Sequence, residues 1–198
     1  METVIYFLLG ITSVVSFGFI IERGLALRWS KIVPREVAAG VDACRNPEDV
    51  PKLRTICEIK MSPLSRLLLT AADHLKWPKP DAEDAVQSLA RHEIVRLERG
   101  LVVLEVAVGI SPLLGLVGTI YGMMSLFSNL GQTGMSDNAT LAHNIGLILH
   151  ATLLGLLIAI PSLIAWSYYT KKVEALGVEM EALCGEFLRR QYRDDTKK

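Results

Sequence analysis

Two threonines lie inside long apolar segments of the chain, where a hydroxyl group has few ordinary reasons to be. Thr119 falls in the segment from Leu101 to Phe127, and Thr152 falls in the segment from about Ile145 to Tyr169. A hydroxyl both donates and accepts a hydrogen bond, so one on each of two adjacent helices can line a narrow hydrated path. Such hydroxyls also bond back to their own helix and help helices to pack. The sequence leaves both uses open.

Small and polar residues recur at helical spacing around both threonines. In the first segment, spacings of 7, 3, 4 and 3 place on one helix face Glu105, Pro112, Gly115, Thr119 and Gly122. A shorter stripe in the other segment consists of Thr152, Gly155, Ala159 and Ser162. Small residues let helix backbones approach closely. We therefore assign to helix packing Pro112, Gly115, Gly118, Gly122, Gly155 and Pro161. Thr119 and Thr152 remain candidates for a pore lining beside the packing alternative.

Three further polar residues are candidate accessory groups: Glu105, Ser111 and His150. A charge at mid-membrane costs about 2.5–3.5 kcal/mol on insertion scales, so Glu105 either serves a proton path or, near the end of its segment, snorkels or pairs with Arg99. His150 lies two residues before Thr152, about 160° around the helix, so both cannot face one path. We expect a neutral His150 bonded to a neighbouring helix. No metal site or cofactor is predicted.

Hydropathy predicts an all-α membrane protein with three transmembrane helices. Of the 198 residues, 51% are hydrophobic, and they gather into three blocks. Each block reaches or approaches the roughly 20 residues that a membrane helix needs. The blocks are Val4–Ile21, Leu101–Phe127 and about Ile145–Tyr169.

The charges are divided unevenly although the net charge is zero. All 21 Lys and Arg lie between Arg23 and Arg99 or between Lys171 and Lys198. By the positive-inside rule these two stretches are cytoplasmic, which places the N-terminus and the second connection in the periplasm. Because nearly as many acids accompany these bases, the stretches indicate solvated protein surface and not a nucleic-acid site.

These features divide the chain into six parts. They are a first span (1–22), a cytoplasmic helical region (23–99), a second span (100–128), a periplasmic loop (129–143), a third span (144–170) and a cytoplasmic C-terminal helix (171–198). Since only Gly100 interrupts the pattern after Asp81, we predict one long helix that enters the membrane from residue 81. A mirrored extension follows the third span, with a buried stripe at Val173, Leu176, Met180, Leu183 and Phe187. The bundle cysteines, Cys44, Cys57 and Cys184, are expected to be reduced.

No catalytic motif accompanies these spans. The sequence contains no His-Glu-x-x-His, no Gly-x-Ser-x-Gly and no phosphate-binding loop, so an enzyme is not predicted. Two classes of function remain. One is a subunit that conducts an ion, and the other is an oligomeric scaffold or adaptor that uses its small-residue faces only to assemble.

The two threonine-bearing runs closely resemble a known family. The run SPLLGLVGTIYGMM from Ser111 to Met124, followed by ATLLGLLIAIP from Ala151 to Pro161, resembles the second and third membrane helices of the MotA/TolQ/ExbB proton channel family. The run SVVSF, followed by Glu22 and Arg23, is also similar to this family. Three spans with a large first cytoplasmic region resemble the ExbB and TolQ branch more than four-span MotA.

This resemblance implies an assembly and a mechanism. It implies a homopentameric ring in the bacterial inner membrane around a dimer of single-span ExbD- or TolR-like subunits. The family's pore threonines fall on Thr119 and Thr152, and the titrating aspartate belongs to the partner. Proton motive force then moves the dimer, and the energy passes to a periplasm-spanning TonB- or TolA-like protein for biopolymer or protein transport or envelope maintenance. Leu147 stands where ExbB members have a glutamate, which leaves the branch open.

Overall fold

A computed structural model describes residues 2–133 and 138–195, and every regular element within these ranges is a helix. The α-helices are α1 (Glu2–Ala26), α2 (Trp29–Ile32), α3 (Arg35–Ala43), α4 (Val50–Ile59), α5 (Pro63–Asp73), α6 (Lys79–Glu98), α7 (Leu101–Thr133) and α8 (Asn138–Asp195). One 3-10 turn, Pro47–Asp49, precedes α4. The all-α prediction is confirmed for these residues.

Three of these helices are long and apolar enough to cross a membrane. The stretches with this character are Thr3–Ala26, Leu101–Ser128 and Leu141–Arg193. They correspond to the three blocks that hydropathy indicated. α7 and α8 both extend into the predicted connection of residues 129–143, of which residues 134–137 lie outside the described part of the chain.

The prediction of one helix from residue 81 into the second span is wrong. α6 ends at Glu98 and α7 begins at Leu101, so a turn at Arg99 and Gly100 separates them. A Cβ atom at Gly100 would collide with the guanidinium group of Arg23. Because the guanidinium group ends a flexible side chain that can move aside, the break is better explained by the low helix propensity of glycine. The mirrored prediction is confirmed, because α8 continues without interruption from Asn138 to Asp195.

The chain forms two compact units. The apolar unit consists of Met1–Arg23 and Gly100–Tyr168, and the charged unit consists of Gly24–Arg99 and Tyr169–Lys198. In the charged unit, α5 starts at an N-cap, where the Ser62 hydroxyl accepts a bond from the Ser65 amide at 3.1 Å. The core of this unit includes Leu64, Leu67, Leu68, Val173, Leu176, Met180 and Phe187. The predicted α8 stripe is thus buried except at Leu183, which is half-buried.

A buried ion pair joins α5 to α6 in the charged unit. Arg66 donates from Nε to Glu93 Oε1 at 2.9 Å and from Nη2 to Glu93 Oε2 at 2.6 Å, and Glu93 is only 5% exposed. Two parallel bonds from a guanidinium to a carboxylate hold both groups in one orientation.

We expect Arg66→Met to destabilise the protein by about 3–5 kcal/mol, because it leaves the Glu93 carboxylate buried without its partner. Thermal unfolding of the full chain in detergent measures this. Arg54→Met is the matched control, since Arg54 pairs with Asp73 through side chains that are both about half-exposed and such pairs contribute about 0–1 kcal/mol. Equal losses of stability in the two variants would contradict the importance of the buried pair.

The three cysteines are free and buried, as expected. Burial raises the pKa of the Cys57 thiol to about 11 and that of the Cys184 thiol to about 12. Since the thiolate is the reactive form, we expect the folded protein at pH 8 to resist maleimide, while unfolded protein reacts at all three positions. Lys52→Cys, on a side chain that is 80% exposed, is the positive control. Rapid labelling of native Cys57 or Cys184 would refute this assignment.

Candidate functional site

α7 and α8 approach most closely where two glycines face each other's backbone. A Cβ atom on Gly155 would lie 2.5 Å from the Ser111 carbonyl oxygen and 3.4 Å from Gly115 Cα. A Cβ atom on Gly115 would lie 2.8 Å from the carbonyl oxygen of Ala151. No side chain fits at either place, so the backbones themselves are in contact.

The contact continues along both helices beyond this crossing. A Cβ atom on Gly118 would lie 2.7 Å from Ala151 Cβ, and one on Gly122 would lie 2.8 Å from Ile148 Cγ1. The structure therefore places at the α7–α8 contact all four glycines that the sequence assigned to packing. It also adds Ala151 and Ile148, which the sequence stripe of α8 did not include. Their spacing of 3 and 4 before Gly155 is the signal that could have identified them.

The hydroxyl of Thr152 bridges the two helices. Its Oγ1 donates to the carbonyl oxygen of Gly115 at 3.2 Å, and the side chain is half-buried. The bond exists because Gly115 has no side chain to hold α8 away. Thr119 is also half-buried, but its Oγ1 donates within its own helix to the Leu116 carbonyl at 2.8 Å. Each hydroxyl oxygen keeps lone pairs that can accept a further bond.

Both threonines lie on the flank of the α7–α8 pair that faces away from α1. On the α1 side, the cavity between the helices is lined by Ile5 together with Gly118 and Ala151. Thr119 follows Gly118 by one residue and Thr152 follows Ala151 by one residue, which rotates each threonine by about 100°. In both helices this rotation turns the side chain from the α1 side, across the α7–α8 contact, to the side away from α1. The two hydroxyls consequently share one side of the chain.

The accessory residues of the sequence analysis are dispersed. Ser111 is fully buried, and its Oγ donates to the Ala107 carbonyl at 2.7 Å. Glu105 and His150 are exposed in the single chain. Pro112 and Pro161 are half-buried within α7 and α8. Because His150 precedes Thr152 by two residues, it points to a different side of α8.

The two threonine hydroxyls can relay hydrogen bonds, and the acid of α7 lies far from them. Glu105 is the one acid in the sequence of α7 and lies fourteen residues before Thr119, or about 21 Å along the helix. Within the described ranges, no group of three His, Cys, Asp or Glu side chains could hold a metal ion. Hydroxyl groups can donate and accept hydrogen bonds along a path but carry no charge of their own.

The geometry defines a helical membrane protein with a polar, glycine-lined pair of spans. Residues 60–182 match the MotA/TolQ/ExbB proton channel family, and the chain belongs to that family. This is a channel and transport family and not an enzyme family.

Relatives from two branches of the family are similar to the chain. The putative biopolymer transport protein ExbB-like 1 of Synechocystis sp. is 33% identical over 198 residues, which cover 92% of this chain and 76% of the relative. The Tol-Pal system protein TolQ of Pseudomonas aeruginosa is 28% identical over 193 residues, which cover 88% and 80%. The biopolymer transport protein ExbB of Neisseria gonorrhoeae is 27% identical over 136 residues, or 62% of each chain.

Proposed function

We propose that this chain is the proton-channel subunit of an ExbB/TolQ-type motor in the bacterial inner membrane. Several copies, five by resemblance to the family, surround a dimer of a single-span ExbD- or TolR-like protein. The N-terminus is periplasmic, and residues 23–99 and 171–198 are cytoplasmic. Thr119 and Thr152 line the proton path, and the partner's aspartate carries the proton past them.

The observation that carries this proposal is the shared flank of the two threonines. Both hydroxyls lie on the side of the α7–α8 pair away from α1, and both side chains are half-buried in a single chain. A polar side chain on the surface of a span normally faces protein or water and not lipid. The flank is therefore suited to face the centre of a ring, while the exposed apolar residues of α1 face lipid.

The energetics suit a stepping motion. One charge that crosses the membrane releases about 2.3 kcal/mol per 100 mV. Protonation of the partner's acid removes its charge, which lets its helix move past the apolar surface of the ring. The chain then supplies the polar lining and the ring body, and a TonB- or TolA-like protein receives the mechanical work.

Reconstitution in vesicles tests this function. The chain is purified with and without an ExbD- or TolR-like single-span protein of the same organism, and proton entry is followed with a pH-sensitive dye under an imposed potential. We expect proton flux only when the partner is present, and none when the partner's membrane aspartate is replaced by asparagine. A stable ring that conducts no protons with any single-span partner would instead favour the oligomeric scaffold, because the same glycine faces serve assembly alone.

A further inference from the structure

One outward face of α8 in the charged unit is acidic around a small apolar centre. Ala175, Val178 and Ala182 are exposed, and Val178 is 68% exposed. Their spacing of 3 and 4 puts them on one side, opposite the buried stripe. Carboxylates flank them on both sides: Glu174, Glu179, Glu181 and Glu186. We call this the acidic face.

One outward face of α6 in the same unit has the opposite charge. Val95 is 61% exposed, and it lies between the exposed bases Arg91, Arg96 and Arg99. Of the five acids in α6, Glu98 lies beside this stretch and Glu93 is buried in its pair with Arg66. The other three, Asp81, Glu83 and Asp84, lie near the other end of the helix. We call the surface of Arg91, Val95 and Arg96 the basic face.

Few of the charged side chains on the two faces form ion pairs within the described part of the chain. Among the described residues, Arg91, Arg96, Glu179 and Glu181 form no ion pair. Glu174 bonds Lys171 at 2.8 Å, but these side chains are 55% and 76% exposed. Glu186 pairs with Arg190. An exposed pair such as Lys171–Glu174 contributes little to stability.

The two faces also match in position along their helices. α6 and α8 run antiparallel, because Gly177 faces Ile94 Cδ1 while residues 181–188 line a cavity with residues 83–90. Measured from the Gly177–Ile94 contact at 1.5 Å per residue, Arg96 is about level with Glu174 and Arg91 is about level with Glu181. Val95 is level with residue 176, between Ala175 and Val178.

We propose that the acidic face of one copy binds the basic face of the next copy. The inference rests on the proposed ring and identifies the surfaces that join its members outside the membrane. When the ring axis runs parallel to these helices, all copies lie at the same height along it. Each arginine of one copy therefore meets the glutamate at the same level in the next copy. Different surfaces on the two sides make a head-to-tail contact, which closes into a ring. An apolar centre with charged residues around it is the usual composition of such a contact.

Disulfide cross-linking tests the pairing in the full chain in membranes. Val95→Cys and Ala175→Cys are combined, and an oxidant is added before electrophoresis without reductant. Because the contact is head-to-tail, we expect a ladder of dimer, trimer and higher species. Val95→Cys with Ala182→Cys is the matched control, since Ala182 lies about 10 Å further along the helix and should cross-link much less.

Charge reversal provides a second test that does not depend on cysteine geometry. Arg91→Glu with Arg96→Glu should abolish the Val95–Ala175 ladder, and adding Glu174→Arg with Glu181→Arg should restore it. Dimers alone, an undiminished ladder in the reversed variant, or no ladder from an intact ring would each overturn the proposed surfaces. A complete ladder without proton flux would instead count against the channel function while supporting this interface.

Discussion

Thr152→Val is expected to lower proton flux through the reconstituted complex about 10- to 100-fold. Valine keeps the volume of threonine but removes the hydroxyl that donates to the Gly115 carbonyl at 3.2 Å. A hydrogen-bonding group lost from the proposed path that raises the barrier by about 1–3 kcal/mol gives this range of rates. Thr119→Val should lower proton flux by a similar factor, because the Thr119 hydroxyl lies on the same side of the chain as that of Thr152 and can also accept a hydrogen bond there.

The conservative controls distinguish chemistry from packing. Thr152→Ser keeps the hydroxyl, so its flux should stay close to that of the unchanged chain. Ser162→Ala removes a buried hydroxyl from the same helix, one that bonds only to the Ile158 carbonyl at 2.8 Å, and should leave flux intact. Full flux in a well-assembled variant that carries both Thr119→Val and Thr152→Val would refute the pore assignment.

Gly155→Ala is expected to destabilise the apolar unit by about 1–3 kcal/mol, because an added methyl group has to move one helix. Its Cβ would lie 2.5 Å from the Ser111 carbonyl oxygen, which belongs to the backbone and cannot rotate away. We expect a lower unfolding temperature in detergent and a longer Thr152–Gly115 hydrogen bond. Proton flux should therefore fall even in the fraction of the protein that assembles.

Gly146→Ala is the matched control in the same helix. A Cβ atom there meets nothing within 4 Å. Since alanine favours a helix by about 1 kcal/mol over glycine, this variant should be neutral or slightly more stable. Equal stability of Gly155→Ala and Gly146→Ala would show that the helices do not cross at Gly155.

The sequence predicted the helices and the residues on each helix face better than it predicted the contacts between helices. The spacing of Gly115, Gly122 and Gly155 indicated a close helix pair, because small residues at helical period have few other uses. The partners of these glycines were missed, since Ala151 and Ile148 look like ordinary apolar residues of a span. The bond from Thr152 to the Gly115 carbonyl depends on the distance between two backbones, which no pattern within one helix specifies.

The break at Gly100 illustrates the same limit. A single glycine within an otherwise helical pattern is tolerated, so sequence reasoning continued the helix through it. The guanidinium group of Arg23, which belongs to the first helix of the chain, lies against Gly100 at this turn. Local patterns therefore identified the buried stripe of α8 but not the point where α6 ends.

The prolines inside α7 and α8 have a mechanical consequence. Pro112 has no N–H group to donate to the Val108 carbonyl, and Pro161 has none for Leu157, so each helix lacks one backbone bond. A helix bends most easily at such a place. The helical turns that carry Thr119 and Thr152 can therefore tilt about the two prolines without the loss of another backbone hydrogen bond. In the proposed channel, the most easily bent points of each subunit therefore lie about two to three helical turns from the threonines.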